Sequence, residues 1–233
     1  MFDPFFKENK SLIVGRNEIG SFYLPQDGSN DAIVNYIKDG KIYDEPIIDT
    51  IKQYSGGIAI DAGSNVGQMS VVMSKLFDRV YSIEADPFLT YVLHKNLILN
   101  NCYNVQVLSA AVWDESGLEL PYPEPDGKYE SLGSYGVIPQ ASTPRRIRSF
   151  KIDDLSLDNV TLMKFDIQGG DLRGIKGSHN TILANKPDII FEYEEDLARD
   201  FADFWEDYIE YFDSIGYGVV DEISVNNYLI SHI

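Results

Sequence analysis

Four acidic residues, each at the end of an apolar run, stand out as candidates for chemistry: Asp61, Glu84, Asp166 and Glu192. A carboxylate at a strand end can grip hydroxyls, meet a cation or take a proton. Asp61 lies in the stretch Ile58–Gly67, which reads I-A-I-D-A-G-S-N-V-G. The apolar run gives way to a turn built from Gly63, Ser64, Asn65 and Gly67, followed by the helix-patterned Gln68–Phe77. Strand, glycine-rich turn and helix together bring backbone close to a nucleotide-like ligand. Glycine is needed there because a Cβ would block the approach or forbid the backbone angles. A second run, Val80–Ile83, ends in Glu84, about 23 residues after Asp61. An acid at that offset grips ribose hydroxyls in doubly wound sheets.

The turn discriminates between ligands. A dinucleotide fingerprint needs G-x-G-x-x-G, and here Asn65 replaces the middle glycine. That glycine is what lets a pyrophosphate approach the helix. Its absence, with Asp61 just ahead of the turn, disfavours a nicotinamide dinucleotide and an oxidoreductase. An acidic site suits a cationic ligand with an adenosyl ribose, such as S-adenosylmethionine. The alternative for the turn alone is a tight connection with no ligand, and Glu84 at the next strand end argues against it.

The elements that position these residues alternate. Strand 58–62, helix 66–77, strand 80–84, helix 87–99 and strand 105–110 follow in order, then strand 161–165, a helix ending near Asn185 and strand 188–193. Asp86 caps the second helix, with Pro87 at its first position. Leu89, Val92, Leu93 and Leu97 give that helix an apolar stripe, which reads as core. A long helix over 196–215 carries Leu197, Phe201, Phe204, Tyr208 and Phe212, and 217–221 with 228–232 forms a closing antiparallel hairpin. Trp205 and its aromatic neighbours read as core. This alternation predicts a doubly wound α/β fold, a mostly parallel sheet with helices on both faces. Residues 1–55 precede it as a cap, with a strand over 18–24 and helices over 31–38 and 47–54. Residues 114–150, rich in Pro, Gly, Tyr and Ser, form an insertion of the kind that makes a binding loop. The whole, 1–233, reads as one domain.

Composition narrows the function. The net charge of -18 argues against a nucleic-acid partner, whose phosphates need clustered Lys and Arg. The basic group Arg145, Arg146, Arg148 and Lys151 is too small for such a footprint. A small-molecule or carbohydrate partner is expected instead, and no membrane. His94, His179 and His232 lack metal-ligand spacing. Mg²⁺ on carboxylates is compatible with the acidic tips but nothing indicates it. The single cysteine, Cys102, and the absence of a secretory pattern at Met1–Lys10 lead to an expectation of a cytoplasmic protein.

Several motifs in order carry a resemblance: D-A-G-S-N-V-G; S-I-E-A-D-P; Leu93, Asn96 and Asn100 as L-x-x-N-x-x-x-N; Ile152–Leu155; M-K-F-D-I-Q-G-G-D-L-R-G-I-K-G; and I-I-F-E. Over roughly 36–193 the chain resembles the FkbM-type methyltransferases, of the class I S-adenosylmethionine-dependent fold. The resemblance implies a Rossmann-like seven-stranded sheet with an antiparallel final strand. It implies methyl transfer to a hydroxyl of a sugar, glycan or natural product. By the same resemblance Asp61, Gly63 and Gly67 shape the methionine side of the cofactor site, and Glu84 takes the ribose hydroxyls. Ala85 and Ser109–Ala111 flank the adenine, and Asp166 sits near the sulfonium. The candidate cofactor contacts are thus Asp61, Gly63, Ser64, Asn65 and Gly67; the tip Glu84, Ala85 and Asp86; the strand end Ser109, Ala110 and Ala111; and Asp166.

The sequence departs from the family's K-x-D-V-E-G-x-E pattern. Gln168 stands where the first glutamate is expected and Asp171 where the second is. An amide takes no proton at neutral pH. The catalytic base is therefore sought at Asp166 and Glu192, at C-terminal strand ends where open α/β sheets bind ligands. The plainer readings are a helix-capping role for Asp166 and a solvated acid for Glu192. Lys164 is expected to alternate away from the site and pair structurally. Gln168 also leaves open a catalytically silent, cofactor-binding interaction protein.

Overall fold

The computed structural model describes residues 11–26, 31–124 and 132–233. Strands β1 (Leu12–Arg16) and β2 (Ser21–Pro25) are followed by helices α1 (Ala32–Lys38) and α2 (Glu45–Ile51). The alternating section comprises β3 (Ile58–Ala62), α3 (Gln68–Ser74), β4 (Arg79–Glu84), α4 (Pro87–Leu99) and β5 (Val105–Ser109). Short strands β6 (Ala111–Val112), β7 (Glu119–Pro121) and β8 (Arg146–Phe150) come next. The remainder is β9 (Val160–Phe165), α5 (Asp171–Lys176), α6 (His179–Asn185), β10 (Asp188–Glu192), α7 (Glu195–Ala198), α8 (Trp205–Ser214), β11 (Tyr217–Ser224) and β12 (Asn227–His232).

Seven strands form the main sheet in the order β11-β12-β10-β9-β3-β4-β5. β3, β4, β5, β9 and β10 run parallel to one another, while β12 is antiparallel to both β10 and β11. This is the doubly wound α/β architecture expected from the alternation, with the antiparallel strand near its end. The strand order reverses at β3, and the chain leaves β3 and β9 toward opposite sides. Ligand crevices form at such a switch point.

The strands are apolar on both faces because helices cover both. Ile60, Met163, Phe165, Ile189 and Phe191 pack with Leu172, Ile175, Tyr208 and Phe212 from α5 and α8. Ala59, Leu162 and Ile190, each adjacent in sequence to one of those residues, pack on the other face with Ile47, Ile48 and Ile51 of α2 and Met69 and Met73 of α3. Each fully buried Ile or Phe contributes roughly 1.5–3 kcal/mol of transfer free energy. Trp205 stacks on Phe191 at 6.3 Å between ring centroids, as a core aromatic.

Three expectations are corrected. The helix read over 196–215 is broken: α7 and a 3-10 turn end at Ala202 with φ of 56° before α8 begins. Asp203 is drawn to Arg173 at 2.9 Å, and Asp207 accepts a hydrogen bond from the Phe204 amide at 2.7 Å, starting a new helix. The single helix expected before Asn185 is two, parted at Gly177, where a Cβ would collide with the Trp113 carbonyl. In the leading segment the strand read over 18–24 is β2, and its partner β1 was not anticipated. The 114–150 insertion contains an antiparallel β7–β8 pair, and the part of it at 125–131 lies outside the described residues. No helix among the described residues is long and apolar enough to cross a membrane.

Candidate functional site

The turn after β3 is tied to the tip of β4. The amides of Gly63 and Ser64 donate to the Ile83 carbonyl at 2.9 and 3.2 Å, and Ser64 Oγ donates to the Asp61 carbonyl at 2.6 Å. Gly63 has φ of 81°, and a Cβ there would collide with the Asp166 carbonyl at the end of β9. That close approach brings the β3 and β9 tips together. Asn65 follows in the left-handed region with φ of 50°. Its amide donates to Glu84 Oε2 at 2.8 Å, and the Asp86 amide donates to Glu84 Oε1 at 2.8 Å. Glu84 thus braces both turns from a buried position. Burial dominates over these hydrogen bonds and pushes its carboxyl up to about 7.

Beside this brace lies a cleft of about 430 Å³, within the size range of small-molecule sites. Gly63, Ser64, Asn65, Glu84, Ala85, Ala110, Ala111, Asp166 and Glu192 line it, all singled out from sequence. Four others lie behind its wall. Asp61 is fully buried, its Oδ2 accepting from Ser70 Oγ at 2.5 Å and its Oδ1 facing Lys164 Nζ at 4.0 Å. Gly67 packs under Leu93 in α4. Asp86 caps α4, accepting from the Phe88 and Leu89 amides at 2.8 and 3.1 Å, and pairs with buried Arg145 at 3.1 Å. Ser109 Oγ lies 3.2 Å from Thr90 Oγ1. Arg145 therefore belongs to the interior.

The far end of the cleft is acidic. Asp166 accepts from Lys164 Nζ at 3.2 Å and from Gln168 Nε2 at 3.1 Å. Gln168 Nε2 also donates to Glu192 Oε2 at 3.4 Å. Burial first, then the charges of Asp166 and Asp171, hold Glu192 far above the ordinary carboxyl range. Asp171, buried at the start of α5, is pushed up to about 7 by burial and then by Asp166. Lys164 is buried, which disfavours its charge, but Asp166 and Asp61 outweigh this and raise it. Lys164 pairs as expected, yet it does not turn away: its side chain lines the cleft.

Some cleft residues were not singled out from sequence. Tyr43 and Asp44 reach the cleft from the leading segment, and Asp44 begins α2 with φ of 50°. Gln68 secures this loop, donating to the Tyr43 carbonyl at 2.7 Å and accepting from its amide at 3.3 Å. Tyr122, Tyr135 and Val137 come from the insertion, with the Tyr122 hydroxyl donating to the Tyr135 carbonyl at 3.0 Å. The Gly133 amide donates to Asp31 Oδ2 at 3.2 Å, joining the insertion to the start of α1 beside the cleft. The clue in the sequence was the charged loop K-D-G-K-I-Y-D-E-P, which has no periodicity to reveal its direction. Among the described residues, no group of three or more His, Cys, Asp or Glu side chains converges as a metal site.

Known structures resemble the chain at low identity. A methyltransferase FkbM from Methylobacillus flagellatus KT is 20% identical over 76% of this chain and 44% of its own, with a TM-score of 0.49. The chain thus spans less than half the length of that protein. A SAM-dependent methyltransferase from Aquifex aeolicus is 13% identical over 82% of this chain and 89% of its own, at 0.47. TYW2 of M. jannaschii, solved with AdoMet, is 13% identical over 98% and 90%, at 0.46. No curated protein matches the sequence. The methyltransferase FkbM domain matches residues 61–219, from the Asp61 turn into the start of β11, and by that match the chain belongs to the FkbM methyltransferase family.

Proposed function

We propose that the cleft binds S-adenosylmethionine and that the protein methylates a hydroxyl of a sugar, glycan or natural-product acceptor. Family membership supports methyl transfer. The observation that carries the site assignment is the convergence of four strand ends on one cleft: the Gly63 turn, Glu84, Asp166 and Glu192. The residues suit an adenosyl sulfonium. The Gly63–Asn65 turn lines one wall, and Glu84 beside it offers a carboxylate for two hydroxyls. Asp44, Asp166 and Glu194 give the far end the sign that a cation prefers.

When bound, the cofactor supplies an electrophilic methyl on a positive sulfur. The chain must hold an acceptor oxygen in line behind that methyl, which is where much of the rate arises. It must also remove the hydroxyl proton. Glu192 is the group assigned to that proton, and Asp166, held by Lys164 and Gln168, is assigned to the sulfonium side. Calorimetry with S-adenosylmethionine tests the binding, and release of S-adenosylhomocysteine with a panel of hydroxylated acceptors tests the transfer. Absence of binding at millimolar cofactor would sink the assignment. Gln168 in place of a glutamate favours a second reading, a protein that binds the cofactor without turnover. Binding with no product on any acceptor would support that reading.

A further inference from the structure

Gln168 occupies an unusual position. Its backbone has φ of 59°, in the left-handed region that non-glycine residues rarely adopt. Gly136 of the insertion lies directly on it, so close that a Cβ on Gly136 would stand 2.8 Å from Gln168 Cβ. The side chain is thereby held between the tips of β9 and β10. Its two polar neighbours, Asp166 Oδ1 at 3.1 Å and Glu192 Oε2 at 3.4 Å, are both carboxyl oxygens. The NH₂ end of the amide donates to both.

Glu192 is crowded by charge of its own sign. Asp166, Asp171 and Glu194 raise its proton affinity after burial has done so, while the Lys164 ammonium opposes them. Tyr43 of the leading segment lines the same cleft. A glutamate at 168 would add a further carboxylate to the same few ångströms. The amide instead joins two of those present without adding charge.

We infer that Gln168 is a positioning residue: by spanning Asp166 and Glu192 it fixes the Glu192 carboxyl in the cleft as the group that loses a proton when a sulfonium binds. The inference rests on the cofactor assignment above. A positive sulfur near this pair favours the ionised form, so the proton leaves Glu192 for solvent. The resulting carboxylate is then free to accept the acceptor's hydroxyl proton as that oxygen gains the methyl. The amide that looks like a lost base thus prepares a neighbouring one.

The test compares S-adenosylmethionine with S-adenosylhomocysteine, which lacks the positive sulfur. Proton release on binding is read by calorimetry in buffers of different ionisation enthalpy, between about pH 6 and 9. Wild-type protein is expected to release roughly 0.5–1 more proton with the sulfonium than with the neutral ligand. Glu192→Gln should abolish this excess. Gln168→Leu and Gln168→Glu should move it upward by about one pH unit. An unchanged proton profile in both Gln168 variants would overturn the inference, as would full excess release in Glu192→Gln. Failure of the wild type to bind S-adenosylhomocysteine removes the cofactor assignment as well. Binding without any sulfonium-specific release removes this inference alone.

Discussion

The Lys164 ammonium stands 3.2 Å from Asp166 Oδ2, with the side chain of Lys164 only 3% exposed. It also faces buried Asp61 at 4.0 Å. One cation therefore serves an acid in the cleft wall and an acid behind it. Removing one member of a buried charge group leaves the others uncompensated.

Lys164→Met should therefore cost about 3–5 kcal/mol of stability near neutral pH. The loss should be smaller near pH 5, because burial raises the proton affinity of Asp61 and lets it neutralise. Denaturant titration at the two pH values measures both. Equal losses at the two would show that Asp61 does not change its protonation between them.

Glu84 braces the amides of two turns, so Glu84→Ala should do more than remove a ligand contact. Leaving the Asn65 and Asp86 amides without their acceptor should cost about 2–4 kcal/mol. Affinity for S-adenosylmethionine should fall at least tenfold. Thermal unfolding and calorimetry read the two separately. A stable variant with unchanged affinity would place the ribose elsewhere.

Stability should fall as pH rises from about 4.5 to 7. Glu84 and Asp171 both have folded-state proton affinities raised to about 7 from ordinary values of 4.5 and 3.8. Across that window the native state binds more protons than the unfolded chain, so the slope is negative, on the order of 1 kcal/mol per pH unit for each group. A net charge of -18 acts in the same direction. Urea unfolding at pH 5, 6 and 7 measures the slope. Asp171→Asn should flatten it.

Gly63→Ala tests the contact between the β3 and β9 tips. The added methyl meets backbone rather than a flexible side chain, and φ is 81°. Loss of several kcal/mol and of cofactor binding is expected. Gly67→Ala at φ of 89° meets Leu93 Cδ1, a side-chain end that can shift, and should be milder in its steric part. Parallel melts of the two variants rank them.

The sheet was legible because its strands are short apolar runs ending in acids, and β3 has the predicted limits Ile58–Ala62. α4 was legible at both ends from its Asp86 cap, Pro87 and apolar stripe. What the sequence left obscure was set by tertiary contact. The 196–215 helix has continuous helical spacing, and it breaks because Asp203 is drawn to Arg173, 30 residues away in sequence. Lys164 obeys strand alternation at its backbone, but its long side chain carries the ammonium round to the cleft. Tyr43 and Asp44 lie in a loop whose direction is set by Gln68, from a different element. Gln168 was visible as a departure, whereas its two carboxyl neighbours come from separate strands.

The hydrogen bond from the Gly133 amide to Asp31 has a consequence for grafting. The two stretches that border the cleft share a fastening across 102 positions of sequence. Only one half of this latch is written in a side chain, because position 133 contributes a backbone amide that most residues would supply. Grafts of the insertion should therefore seat well wherever an acceptor is kept at position 31, and poorly where Asp31 is lost.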